Sequence, residues 1–395
     1  MYTKLNGLSL QDVPVPELPG PDWVRVRTLM GGICGTDLAI IGHKQPPDSI
    51  LQAFSSMPML LGHENVAEVE ETGPDVDQTW AGKRVLVEPT LSCRVRGIDP
   101  PCAPCSRGEY GACENFGADG EGSAGLPPGS SIGYNSRTGG SYGEYFVAHE
   151  SQLVEVPDKV SDEQAVLVDP VACSLHSALR IDLQRVRTVL IYGTGVLGLG
   201  TVACLRAMDF DGEIHCIGRG SQMRALAERF GADAWLELPA DAKGRFEAIA
   251  GRTGASRHEV RFGNQMLSGG YDAIFDFVGS TRSINESLKW AAARGQVVLV
   301  ATGSGGKVDL TPVWFGELSL VGAYGRQEED FAGRRMDTYR LVLDLMTSDR
   351  LNVSDMLTGS HPLDDYASAF RMARNKSSSG MVKQAFDFRT DTPEK

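Results

Sequence analysis

Apolar and polar positions follow two different rhythms along this chain. Residues 22–30, "DWVRVRTLM", alternate apolar and polar side chains, and 83–88, "KRVLVE", is a shorter run of the same kind. A period of two predicts strands. Glycines and prolines crowd the intervening sequence, and "DGEGSAGLPPGSSIGYNSRTGGSYGEY" over 119–145 predicts irregular backbone. From about residue 185 the rhythm changes. "RTVLIYGTGVLGLGTVACLRAM" reads as a buried strand, a glycine turn and a helix, and "EIHCIG" as a second strand. In "SQMRALAERFGADAW" the residues Met223, Leu226, Ala227 and Phe230 recur at helical spacing, with Gly231 placed to end that helix in the left-handed conformation. "YDAIFDFVG", "GQVVLVATG" and "LSLVGAYG" add further β-rich runs. Strands alternating with helices predict a parallel, doubly wound α/β sheet. The polar segment 238–269 carries charges of both signs and reads as a surface excursion. The tail returns to two helix patterns and a final strand.

Length and charge narrow the picture. At 395 residues the chain is long enough for two or three domains. A net charge of -13 argues against a nucleic-acid partner or an anionic membrane surface. No apolar run approaches the roughly 20 residues that span a bilayer, and the first twenty residues lack the apolar centre of a signal peptide. The expectation is a soluble, cytoplasmic protein. Of eight cysteines, four cluster between Cys93 and Cys113. In a reducing compartment such clustering points to metal rather than to disulfides.

Gly193-Thr194-Gly195-Val196-Leu197-Gly198 fits G-x-G-x-x-G directly after the strand "TVLIY" and at the start of a helix. That context turns a weak pattern into a dinucleotide fingerprint. Gly193 permits the turn, Gly195 lets the backbone approach a pyrophosphate, and Gly198 lets the helix pack on the sheet, whose N-terminus offers free N–H groups to the phosphates. An NAD site carries an acid about 20 residues on, at the end of the second strand, to hold the ribose 2′-hydroxyl. Gly218 stands there, followed by "RGS". A carboxylate would repel a 2′-phosphate, whereas Arg219 can pair with one, and Ser221 and Arg224 are further donors. This predicts NADP(H) in preference to NAD(H). A solvated Arg219 beside an NAD site is the alternative.

Two sets of metal-ligand side chains stand out. Cys102-x2-Cys105-x7-Cys113, with Cys93 upstream and separated from Cys102 by eight residues, suits a closed tetrahedral Zn²⁺ site, which has no open position and is therefore structural. The second set is dispersed: Cys34 in "GGICGTD" and His63 in "LLGHEN". Each alone is more simply a packed core residue. Farther on, "DPVACSLH" offers Asp169, Cys173 and His176.

In order, "GICGTD", "GHE", the four-cysteine lobe, "GGSYGEY", "DPVACSLH" and the strand–GxGxxG–helix resemble the zinc-containing medium-chain dehydrogenase/reductase superfamily, the alcohol, polyol and glucose dehydrogenases. The resemblance runs from about residue 20 through "HPLDDYASAF" to the end. It implies a GroES-like β-rich catalytic domain with a structural-zinc lobe (1–172), a Rossmann domain (173–323) and a C-terminal segment returning to the catalytic domain (324–395). It also implies two Zn²⁺ per chain, one catalytic and one structural, and a homodimer or homotetramer. Cys34 and His63 match the first two catalytic-zinc ligands. The third comes from "DPVACSLH", where some relatives use an acid at the place of Asp169 and others a cysteine at that of Cys173. A buried carboxylate needs a compensating cation and a buried thiol does not, which favours Asp169 and leaves Cys173 open. Glu64 matches an auxiliary ligand, and Thr36 the hydroxyl that relays the alcohol proton.

Two departures accompany the match. Ala39 stands where many relatives carry a histidine that passes the proton outward, and His43 is close in sequence. The gap of eight after Cys93 exceeds the usual two. The implied reaction is hydride transfer between an alcohol, polyol or sugar hydroxyl and NADP(H). An NAD-linked polyol or threonine-type dehydrogenase and a non-catalytic nucleotide-binding relative are the competing readings.

Overall fold

A computed structural model describes residues 8–42, 49–301, 306–374 and 380–389. His43 lies outside them. The chain divides into two compact units, Met1–Ala172 with Arg326–Arg350 and Ser354–Lys395, and Cys173–Gly325 with Leu351–Val353.

The first unit opens with β1 (Trp23–Gly32), β2 (Glu64–Thr72), β3 (Arg84–Val87), β4 (Tyr145–His149) and β5 (Leu153–Glu155). Its alternating start lets β1 bury Val24 and Val26 while Arg25 and Arg27 stay half-buried on the opposite face. Those valines join Trp23, Val69, Val85, Val87, Phe146 and Leu153 in the core. Burying each such side chain contributes about 1.5–3 kcal/mol. The segment 119–144 holds no strand or helix longer than a turn.

The second unit contains β6 (Thr188–Tyr192), β7 (Glu213–Ile217), β8 (Ala234–Leu236), β9 (Ser256–Glu259), β10 (Gln265–Ser268), β11 (Tyr271–Asp276), β12 (Ala291–Leu299) and β13 (Ser319–Gly322). Six of these form a parallel sheet in the order β13-β12-β11-β6-β7-β8. That is the Rossmann order, with the strand pair β11 and β6 at the switch point. The polar segment 238–269 is more than a surface excursion. It folds into the helix Ala242–Thr253 and the hairpin of β9 and β10, and it places Phe246, Ile249 and Leu267 in the unit's core. Its many charges obscure a narrow apolar stripe.

The chain then re-enters the first unit through β14 (Glu328–Phe331), β15 (Arg334–Asp337), β16 (Leu357–His361) and β17 (Lys383–Asp387). β17 pairs antiparallel with β1, Gly32 opposite Ala385, and completes a sheet in the order β16-β17-β1-β2-β3-β5, with β4 also on β1. Among the described residues no helix is long and apolar enough to cross a membrane.

Candidate functional site

Cys34 caps the helix Gly35–Ile41 in extended conformation just beyond β1, and Glu64 is the first residue of β2. Because Gly32 pairs with Glu64 in the antiparallel ladder, the end of one strand meets the start of the next. The Cys34 thiol, the His63 imidazole and the Glu64 carboxylate therefore come together, their ligand atoms within 4.8 Å of one another. Gly32 leaves room for this: a Cβ there would lie 2.2 Å from Glu64 Oε2.

The surroundings are charged and almost wholly buried. Asp37 accepts hydrogen bonds from the hydroxyls of Tyr134 at 2.8 Å and Tyr142 at 2.5 Å, and its Oδ1 lies 3.7 Å from His63 Nδ1. Lys383, from β17, forms an ion pair with Glu64 and donates to the Ile33 carbonyl at 3.0 Å. Burial lowers the His63 imidazole, but Asp37, Cys34 and Asp169 outweigh it and raise the group to about 10. His63 Nδ1 is nonetheless buried without a hydrogen-bond partner among the described residues. A thiol, an imidazole and a carboxylate in so anionic a setting fit a divalent cation of the zinc class.

Asp169 does not join the three grouped donors. It sits in the helix Val168–Ala178, where Oδ2 accepts from Arg326 at 2.6 Å and Oδ1 from the Tyr339 hydroxyl at 2.5 Å. Burial opposes its ionisation, and Arg326 overcomes that and holds the carboxyl below its ordinary range. The cation that a buried carboxylate requires is thus supplied in part by a guanidinium, which the sequence argument left out. Cys173 is half-buried in the second unit, outside the grouping, and His176 is buried on the same helix. Thr36 is exposed in the first turn after Cys34, and Ala39 lies on the same helix.

The four-cysteine lobe is built locally. Cys93 opens the helix Cys93–Arg96, Cys102 caps Ala103–Ser106, which contains Cys105, and Cys113 follows the turn Tyr110–Ala112. The four sulfurs lie within 4.8 Å of one another, Cys93 included despite its long spacing. Backbone N–H groups of Cys102 and Asn115 point at Cys93 Sγ and Cys113 Sγ, at 3.3 and 3.4 Å, and Asn115 Nδ2 donates to Cys93 Sγ at 3.1 Å. Hydrogen bonding from Cys105, above all, lowers the Cys113 thiol to about 5, while the Cys105 thiol is pushed upward. Four sulfurs sharing negative charge fit a closed zinc site. Arg96, fully buried, donates to the carbonyls of Leu91, Ala118, Leu126, Pro127, Phe116 and Gly129.

In the second unit Gly193 has φ 108°, and its N–H donates to the Ile217 carbonyl at 2.9 Å. A Cβ on Gly198 would lie 2.0 Å from the Gly193 oxygen, whereas one on Gly195 would meet nothing within 4 Å. The second glycine therefore faces open space at the N-terminus of the helix Val196–Ala207, with Val196 and Leu197 in its first turn, a cradle that fits a pyrophosphate. Thr194 is buried beside it. Gly218 follows β7; Arg219 is exposed, Ser221 opens the helix Ser221–Arg229, and Arg224 is already paired with Glu228 at 2.8 Å.

Two family models match the chain: the alcohol dehydrogenase GroES-like domain over residues 20–158, and the zinc-binding dehydrogenase domain over residues 196–338. The chain belongs to the zinc-containing medium-chain dehydrogenase/reductase superfamily. Among members of this dehydrogenase superfamily, L-idonate 5-dehydrogenase of Vitis vinifera is 28% identical over 90% of this chain and 84% of its own length. L-threonine 3-dehydrogenase of Legionella pneumophila (strain Corby) is 26% identical over 96% and 97%. A solved structure from Sinorhizobium meliloti 1021, assigned as a zinc-binding dehydrogenase and bound to NADP, superposes with a TM-score of 0.73 at 25% identity, covering 97% of each chain. The GroES-like and Rossmann architecture expected from the sequence is the one observed. Six residues around the grouped donors have no role in the sequence reading: Asp37, Tyr134, Tyr142, Arg326, Tyr339 and Lys383. Asp37 was detectable, since it sits in the quoted "GICGTD". Tyr142 likewise sits in the quoted "GGSYGEY", whereas the rest are far away in sequence and carry no local motif.

Proposed function

We propose that this dehydrogenase is zinc-dependent and transfers a hydride between an alcohol, polyol or sugar hydroxyl and NADP(H). The observation that carries the reading is the grouping of the ligand atoms of Cys34, His63 and Glu64 within 4.8 Å, with Asp37 beside them. When bound there, zinc supplies a Lewis acid that eases ionisation of an alcohol, and the nicotinamide supplies the hydride acceptor. Cys34 and His63 hold the metal. Glu64 is the nearer carboxylate, and Asp169 stands beside the group, bound to Arg326 and Tyr339. Asp37, fixed by two tyrosine hydroxyls, lies 3.7 Å from His63 and places negative charge beside it. The Thr36 hydroxyl receives the alcohol proton, and with Ala39 in place of an imidazole the proton passes on to water or a ribose hydroxyl. Cys93, Cys102, Cys105 and Cys113 hold a second, structural zinc.

In the same reading Gly193, Gly195 and Gly198 admit the pyrophosphate and Arg219 and Ser221 receive the ribose phosphate. Residues 1–172 and 324–395 form the catalytic domain and 173–323 the nucleotide domain. The substrate is a small molecule in the cytoplasm, and the protein is a homodimer or homotetramer. In support of assembly, β13 is an edge strand and Trp314 and Phe315 beside it are exposed. An NAD-linked polyol or threonine-type enzyme is the second reading, supported by the threonine dehydrogenase that matches 96% of the chain. A screen of alcohols, polyols, aldoses and L-threonine with NADP⁺ and NAD⁺, together with zinc analysis, tests both. A charge-assisted contact to a phosphate is worth about 1.5–3 kcal/mol, so at least a roughly tenfold advantage for NADP⁺ is expected. Equal use of NAD⁺ removes the cofactor assignment.

A further inference from the structure

Gly218 is glycine for want of space. Its φ is not in the left-handed region, so the backbone there would accept any L-residue. What excludes a side chain is contact. A Cβ on Gly218 would lie 1.8 Å from Thr194 Oγ1, 2.9 Å from Thr194 Cβ and 2.5 Å from Trp235 Cη2. Thr194 can turn its hydroxyl away, but its Cβ is carried by a loop that the Gly193 hydrogen bond to Ile217 anchors. The backbone of Trp235 is fixed by its strand, since β8 pairs with β7 with Trp235 opposite Cys216 and Leu236 opposite Ile217, and its half-buried indole reaches over Gly218. Thr194 is buried and Trp235 half-buried, so a side chain at 218 fits only if both give way.

We propose that Thr194 and Trp235 are specificity-determining residues, which together fill the space at the end of β7 and bar the carboxylate that an NAD-type ribose would need. This rests on the NADP reading above and supplies a cause for it. With position 218 sterically closed to an acid, the ribose is read by the next exposed group, Arg219. A phosphate-bearing ribose gains from that cation and a bare diol gains little. Neither Thr194 nor Trp235 needs to touch the phosphate. They act by exclusion.

Calorimetry on the full-length protein with 2′,5′-ADP and 5′-AMP tests the proposal, with thermal unfolding as the fold control. Gly218→Asp alone should not raise 5′-AMP affinity above that of the wild type. Adding Thr194→Gly and Trp235→Ala should raise it at least about tenfold over the single variant. A tenfold gain from Gly218→Asp alone, or no gain in a folded triple variant, overturns the proposal. Should the triple variant not fold, the smallest side chain decides. Gly218→Ala should weaken 2′,5′-ADP at least about fivefold, and Trp235→Ala in that background should recover most of the loss. Wild-type affinity in Gly218→Ala overturns the exclusion. A wild type that itself prefers 5′-AMP overturns the NADP reading, while the Gly218→Ala result still judges the steric claim.

Discussion

The grouped donors at Cys34 and the four-cysteine lobe are both groups of side chains that could hold a metal ion, in one unit, yet they are built by opposite means. The lobe draws all four sulfurs from 93–113, and backbone N–H groups and the buried Arg96 hold it. The donors of Cys34, His63 and Glu64 depend on strand pairing, and remote side chains act on their charge: Lys383 pairs with Glu64, and the Tyr142 hydroxyl holds Asp37 beside His63. Local closure with fixed backbone partners makes a staple. Titratable partners converging from remote elements make an adjustable electrostatic environment, as a reacting site requires.

Removing ligands should separate the two most sharply. Cys34→Ala or His63→Ala should lower kcat/KM by at least about a thousandfold, the several kcal/mol that a Lewis acid supplies. Elemental analysis should then still find the lobe's zinc. Cys105→Ala should instead leave residual activity in the folded fraction and lower unfolding stability by about 3–5 kcal/mol in urea titration. If both variants lost activity and stability alike, the contrast would collapse.

Within the reacting cluster, Glu64 and Asp169 are to be told apart by zinc affinity. Glu64→Gln should weaken it about 10–100-fold in chelator competition, and Asp169→Asn by clearly less, because Arg326 and Tyr339 already hold that carboxylate. In the lobe, Arg96→Ala strands several buried carbonyls and should cost about 3 kcal/mol of stability with kcat unchanged.

Glu88, just after β3, provides a pH test. Burial pushes its carboxyl up to about 8, with Arg326 opposing and Asp337 reinforcing. The folded state therefore holds a proton that the unfolded chain releases near its ordinary value of 4.5. Stability from this group is complete at low pH and is lost as pH rises from about 4.5 to about 8, by at most about 1.4 kcal/mol per unit. Glu88→Gln should flatten that slope in urea titrations at pH 6 and pH 8. The smallest effect is expected for Tyr142→Phe, which removes one of two hydroxyls on Asp37 and should cost about 1 kcal/mol, or about fivefold in kcat/KM.

What was legible in the sequence was what neighbours in the chain decide. Alternation over 22–30 marked β1, and the spacing of Met223, Leu226 and Phe230 marked a helix. Gly193 to Gly198 announced a loop whose chemistry depends on six consecutive residues. The charged stretch 238–269 misled, because Phe246 and Ile249 bury a stripe too narrow to stand out among charges. A buried Asp169 needs a cation, but a sequence does not say which cation. Arg326 stands 157 residues away.

The sequence by itself determined the ordered motifs that carry the family resemblance, the glycine loop and the lobe's four thiols, because each motif is a local pattern that survives without knowledge of packing. Only the tertiary structure decided that Glu64 lies with Cys34 and His63, that Lys383 and Arg326 claim the two carboxylates, and that Thr194 and Trp235 close position 218. Those outcomes depend on which strands pair and in what register. Pairing over hundreds of residues is set by the whole core and leaves no trace in any short stretch of the chain.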